Sequence, residues 1–120
     1  MEIQINSRNV PLTEAQTVYV QRRLQFALGR FVTQVRVVEV TMNDVNGPKG
    51  GKDIQCSLKV ILSKKGEILA SDTDVSVEVA VAHAAGRAAR SVARLLARQS
   101  DHQGLSMSVL KDADGIANGE

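Results

Sequence analysis

The sequence predicts an α+β domain of order β-α-β-β-β-α, a four-stranded mixed sheet with two helices packed on one face. Three observations carry that reading. Four short stretches alternate apolar and polar residues, the period of a half-buried strand. Two longer stretches repeat apolar residues every three or four positions, the period of an amphipathic helix. Gly, Pro, Asn, Asp and Lys-Gly clusters punctuate the gaps between them. With 120 residues, of which 43% are hydrophobic and 23% charged, the chain can bury one modest core.

Residues 2–6, Glu2-Ile3-Gln4-Ile5-Asn6, alternate and read as the first strand. Thr13 then offers a hydroxyl N-cap, and Glu14 an acid placed favourably for the helix dipole. Val20, Leu24, Ala27, Leu28 and Phe31 recur at i, i+4, i+7, i+8 and i+11, an amphipathic helix to about residue 30. Its flank carries Arg22, Arg23 and Arg30, interleaved with Tyr19 and Phe26, which read as edge-of-core residues. Residues 35–42 are β-branched and alternating, the second strand. A long loop over 43–53 holds Lys49 and Lys52. Strands at 54–62 and 67–71 flank the tight turn Ser63-Lys64-Lys65-Gly66. Val75, Val77, Val79 and Val81 alternate like a strand, but the Ala-rich, acid-poor continuation decides for a helix over 76–99. Residues 100–120 show no sustained period and are expected to be a disordered acidic tail, dividing the chain into 1–99 and 100–120.

Two amphipathic helices must cover one sheet face, a layout like that of double-stranded-RNA-binding domains. If the first two strands are parallel neighbours, their connection is a right-handed crossover.

Several function classes find no support. No apolar run approaches the roughly 18 residues of a membrane helix, and the N-terminus lacks the features of a signal peptide, so a cytoplasmic location is expected. Cys56 is the one cysteine; it excludes an internal disulfide and a cysteine-based zinc site, and reads as a buried, inert thiol. His83 and His102 are far apart, and the acids are scattered. No catalytic residues, metal ligands or cofactor are expected, and no enzyme. The loop Gly47-Pro48-Lys49-Gly50-Gly51-Lys52 matches a phosphate loop poorly, because Asp53 and a strand follow Lys52. It reads as a mobile hairpin loop whose lysines can reach a phosphate backbone.

The charge distribution is more informative. Residues 1–99 hold 14 of the 15 Lys and Arg but nine of the 13 Asp and Glu, and a basic body suggests a polyanionic partner. Between Val79 and Gln99 there is no acid, and Arg87, Arg90, Arg94 and Arg98 fall at i, i+3, i+7 and i+11. His83 extends this line, which lies opposite Val77, Val81, Ala84, Ala85, Ala88, Val92 and Leu95. Neighbouring like charges on a helix repel, and guanidinium matches phosphate geometry. Phosphate binding is therefore favoured over a merely solvated face. The three aromatics, Tyr19, Phe26 and Phe31, lie off the predicted strands, which argues against sheet-face base stacking. Arginines on helices favour folded RNA read by backbone and shape. Two other readings stay open: a module docking an acidic protein partner, and a general double-stranded-RNA binder.

The element order, Asn6-Ser7-Arg8 after the first strand, Leu12-Thr13-Glu14-Ala15 opening the first helix and Arg22-Arg23-Leu24 within it form a recognisable set. With the loop from Asn43 to Asp53 and the helix bearing Arg87, Arg90, Arg94 and Arg98, it resembles the ribosome hibernation-promoting factor family, over residues 1–99. That family includes the ribosome-associated inhibitor of translation. The resemblance implies a non-enzymatic factor that binds ribosomal RNA of the small ribosomal subunit and blocks the mRNA and tRNA channel in stressed or stationary cells. It implies RNA-binding roles for Arg22, Arg23, Arg87, Arg90, Arg94 and Arg98, with Arg8 and Arg30 as weaker matches. It implies no membrane, small-molecule substrate or cofactor. The chain departs from the family pattern at Glu78, where an aromatic is usual, and at Phe26 and Gly29, which are basic in some relatives; the latter pair implies lower affinity. It looks like a short form without the C-terminal dimerisation domain, monomeric off the ribosome and not pairing ribosomes by itself.

Overall fold

The computed structural model describes residues 1–45 and 53–103. In order these form β1 (Glu2–Ser7), α1 (Glu14–Leu28), a 3₁₀ turn (Gly29–Phe31), β2 (Val35–Asp44), β3 (Ile54–Leu62), β4 (Glu67–Asp74) and α2 (Val77–Gln103), the expected order. The loop lysines Lys49 and Lys52, and the tail beyond Gln103, lie outside the described residues. The chain forms two compact units, Met1–Arg90 and a second that opens at Ser91.

The sheet runs β1-β2-β3-β4. β1 and β2 are parallel, with Ile3 opposite Val38 and Ile5 opposite Val40. A parallel pair cannot be joined by a hairpin, and α1 supplies the crossover. β2, β3 and β4 are antiparallel. The β3–β4 turn closes with Leu62 N–H donating to the Gly66 carbonyl at 3.1 Å. Gly66 has φ 109°, a conformation side chains resist.

Strand register decides where the core lies. Val38, Val40 and Met42 on β2 and Cys56, Leu58 and Val60 on β3 share one face and are buried, while Glu39, Thr41, Ser57 and Lys59 between them stay partly exposed. Onto the buried face α1 brings Val20, Leu24 and Leu28, and α2 brings Val77, Ala80, Val81, Ala84, Ala85 and Ala88. No polar or charged residue is buried among the described residues. Each Leu or Val in that layer contributes about 1.5–3 kcal/mol by leaving water, and Leu24→Ala would cost about 2–5 kcal/mol. Cys56 behaves as expected of an inert thiol: burial foremost, and then the nearby charge of Asp72, push it up to about 12.

Element ends carry the departures from expectation. Thr13 caps α1 as read, and Gln16 completes a reciprocal capping box, with hydrogen bonds of 3.0 and 3.1 Å. β4 extends to Asp74, three residues beyond the predicted end at 71. Polar Asp72, Thr73 and Asp74 stay in the ladder because β3 offers them Cys56, Gln55 and Ile54 as partners; an edge strand needs backbone partners rather than apolar side chains. In the ambiguous valine run, Val77 and Val81 are buried while Val75 and Val79 are exposed, which is helical rather than strand spacing. Ser76 opens that helix, accepting from Val79 N–H at 3.2 Å with its hydroxyl and from Ala80 N–H at 3.0 Å with its carbonyl. At the other end α2 continues through Gln103, past the predicted end at 99.

Candidate nucleic-acid interface

The arginines of α1 are set around aromatic rings. Arg22 is exposed and Arg23 half-buried. The Arg23 guanidinium lies over the Phe26 ring, 5.3 Å from its centroid, and its Nε is buried without a hydrogen-bond partner. Arg30, exposed on the 3₁₀ turn, stands over Phe31 at 4.7 Å. Phe31 belongs to the core, so Arg30 rests on the core's rim. None of these three arginines forms an ion pair among the described residues.

Phe26 does not occupy the edge of the core, as the sequence suggested; it is 79% exposed. Its position explains this. It stands two residues from both Leu24 and Leu28, about 200° around a helix of 3.6 residues per turn. That angle points it away from the buried stripe, and a helical projection would have shown it. Tyr19 does sit half-buried, its hydroxyl donating to the Glu78 carbonyl at 3.4 Å.

On α2, His83, Arg87 and Arg90 are exposed along one side, with buried Ala80, Ala84 and Ala88 on the other. The expectation that this row lacks a counter-charge holds within the helix but fails within the fold. Arg87 Nη2 is 3.3 Å from Asp72 Oδ1, and His83 Nδ1 is 3.0 Å from Asp72 Oδ2. The cause is the longer β4, which places Asp72 opposite Cys56 in the register of the core face, beneath α2. The Asp72 side chain is only 15% exposed, whereas that of Arg87 is 58% exposed. An ion pair this open to water is worth up to about 1 kcal/mol, so Arg87 is held lightly. Arg90 has no ion pair among the described residues. In the second unit Arg94 and Arg98 are exposed, and Arg94 Nη2 donates to Ser91 Oγ at 3.3 Å.

Glu78 has a structural task. It accepts from Ser76 Oγ at 3.1 Å and Gln16 Nε2 at 3.4 Å. Its carboxyl is held below the usual range, chiefly by its own backbone N–H and then by Ser76, with Gln16 adding to them against a desolvation penalty. It thus ties the start of α2 to α1 at a helix end that favours negative charge. Arg8, exposed after β1, donates its backbone N–H to the Met42 carbonyl at 3.1 Å. Among the described residues, no group of three His, Cys, Asp or Glu could hold a metal ion, and no helix is long and apolar enough to cross a membrane.

Comparison with known proteins converges on the same architecture. No curated protein sequence matches the chain. The N-terminal domain of Thermus thermophilus Protein Y superimposes with a TM-score of 0.63 at 22% identity, over 79% of this chain and 99% of that one. A ribosomal subunit interface protein from Coxiella burnetii does so with a TM-score of 0.67 at 13% identity, over 81% and 99%. At such identities the likeness is one of fold. The sequence pattern described as sigma 54 modulation protein / S30EA ribosomal protein matches residues 3–100, from β1 through the arginine row of α2. The chain belongs to the sigma 54 modulation protein / S30EA ribosomal protein family.

Proposed function

We propose that this member of a family of ribosome-associated factors binds ribosomal RNA of the small subunit through its two basic helices. Seated there, it occupies the channel used by mRNA and tRNA and keeps ribosomes idle in stress or stationary phase. One observation carries the reading: exposed arginines on both helices, of which only Arg87 is engaged by a carboxylate among the described residues. The open sheet face is the weaker candidate, since it carries no aromatic residue and its Lys59 is paired with Glu67 at 3.7 Å. The mechanism is occupancy rather than chemistry: guanidinium groups replace counterions on phosphates and thereby hold the domain in place.

The experiment is sedimentation of the protein with purified small subunits across a salt series. If about five or six phosphates are neutralised, the log–log salt slope of the binding constant is about −4 to −5. The combined variant Arg87→Ala, Arg90→Ala, Arg94→Ala keeps its fold and loses most binding; unchanged association in that variant sinks the proposal. Association that survives ribonuclease treatment would assign the arginine row to an acidic protein instead.

A further inference from the structure

We infer that Phe26 is a stacking platform for an unpaired base of the bound RNA, with Arg23 closing the opposite face of the ring. The inference rests on the RNA-binding reading of α1 and adds to it a contact that charge alone does not supply.

A phenylalanine that is 79% exposed in the last turn of a 15-residue helix does nothing for the core. Its helical neighbours are Arg22 at i−4 and Arg23 at i−3, and Arg30 follows on the 3₁₀ turn just past the helix end, so cations flank the ring in the chain. The nearest large exposed apolar residues along the chain, Val18 and Val32, are eight and six positions away. An apolar protein partner would need a patch, and here there is one ring among charges. Aromatic rings interleaved with basic side chains are instead the chemistry by which proteins hold single-stranded nucleotides.

The local geometry fits one base. The Arg23 guanidinium covers one face of the ring at 5.3 Å from the centroid. That stacking fixes a side chain whose Nε has no hydrogen-bond partner. Toward the C-terminus, a Cβ added at Gly29 would meet no atom within 4 Å, so the space one turn beyond Phe26 is open. A flat base entering there meets the free face of the ring, while Arg22 and Arg30 stand within reach of its phosphates. Bases inside a duplex are stacked on one another and offer no face. The contacted nucleotide therefore lies in a loop, bulge or single-stranded segment.

The test compares Phe26→Ala, Phe26→Leu, Phe26→Trp and Arg22→Ala for binding to purified small subunits over a salt series, with thermal melting as the folding control. The expected result is about tenfold weaker binding for Phe26→Ala and for Phe26→Leu. Their salt slope stays that of the wild type, because no phosphate contact is lost, and Phe26→Trp retains full affinity. Arg22→Ala, by contrast, lowers the slope by about one. The chain contains no tryptophan, so emission from the Phe26→Trp variant reports this position alone and is quenched on binding. Wild-type affinity in Phe26→Ala beside a weakened Arg22→Ala overturns this inference and leaves the RNA reading standing. Full affinity in Phe26→Leu with loss in Phe26→Ala assigns the site to an apolar protein contact and overturns it as well. Wild-type protein that fails to bind subunits overturns both.

Discussion

The arginines of α1 and those at the start of the α2 row are positioned by opposite means. On α1 and the 3₁₀ turn that follows it, Arg23 and Arg30 lie over the rings of Phe26 and Phe31; on α2, the carboxylate of Asp72 holds Arg87 and also contacts His83. A ring orients a guanidinium through its flat face and leaves the N–H donors at its edge available to phosphate. A carboxylate holds the same group by opposite charge, here through one contact, Arg87 Nη2 to Asp72 Oδ1 at 3.3 Å, and so competes with phosphate for it. The comparison teaches that counting cations along a helix overstates what the helix can offer. What matters is which force holds each one still.

The largest effect that would sharpen this contrast comes from removing a whole set. Replacing Arg22, Arg23 and Arg30 with Ala weakens binding to small subunits about a hundredfold at physiological salt and lowers the salt slope by about three. The matching α2 set, Arg87, Arg90 and Arg94, costs up to about fivefold less, since Arg87 must first leave Asp72 at up to about 1 kcal/mol. A larger loss from the α2 set than from the α1 set breaks the comparison.

Next in size is Asp72→Asn, which removes the carboxylate's charge and releases Arg87. Binding tightens by up to about fivefold at unchanged salt; equal or weaker binding shows that Asp72 does not restrain the row. The same substitution brings the Cys56 thiol down from about 12, though burial keeps most of the elevation. Alkylation of native protein at about pH 8 therefore stays slow in both forms, and fast labelling of the wild type would contradict the burial of Cys56.

Glu78→Gln gives the smallest effect and separates stability from affinity. A carboxyl held below its ordinary value stabilises the fold above that value and loses its contribution as pH falls through its folded one. At pH 7 the variant melts about 2–4 °C below the wild type, and the gap closes as pH falls below the ordinary carboxylate range and through the lowered value of folded Glu78. Subunit affinity does not change. A gap that persisted in acid would mean the loss was steric rather than ionic.

The sequence disclosed element order, the α1 cap at Thr13, the buried face of α2 apart from half-buried Leu95 and the inert Cys56, because each depends on neighbours a few residues away. The pairing of Arg87 with Asp72 was hidden for the opposite reason. Periodicity along α2 shows the charges of α2 alone, and Asp72 comes under that helix only through the register of β4 against β3. The end of β4 was hidden too, since Asp72, Thr73 and Asp74 have turn-like side chains, and what keeps them in the strand is β3. Phe26 is different: its angle on the helix was available, but an apolar residue between two core leucines invites assignment to the core.

The small side chains beneath α2 reach further than packing. Ala80, Ala84, Ala85 and Ala88 are fully buried, so the helix settles close on the sheet, near enough for Asp72 to grasp His83 and Arg87 from below. Enlarging one of them, Ala84 for instance, would lift the helix and loosen that grip without touching any surface residue. Affinity for a polyanion could then drift through substitutions wholly inside the protein, where an inspection of its exterior would find nothing altered.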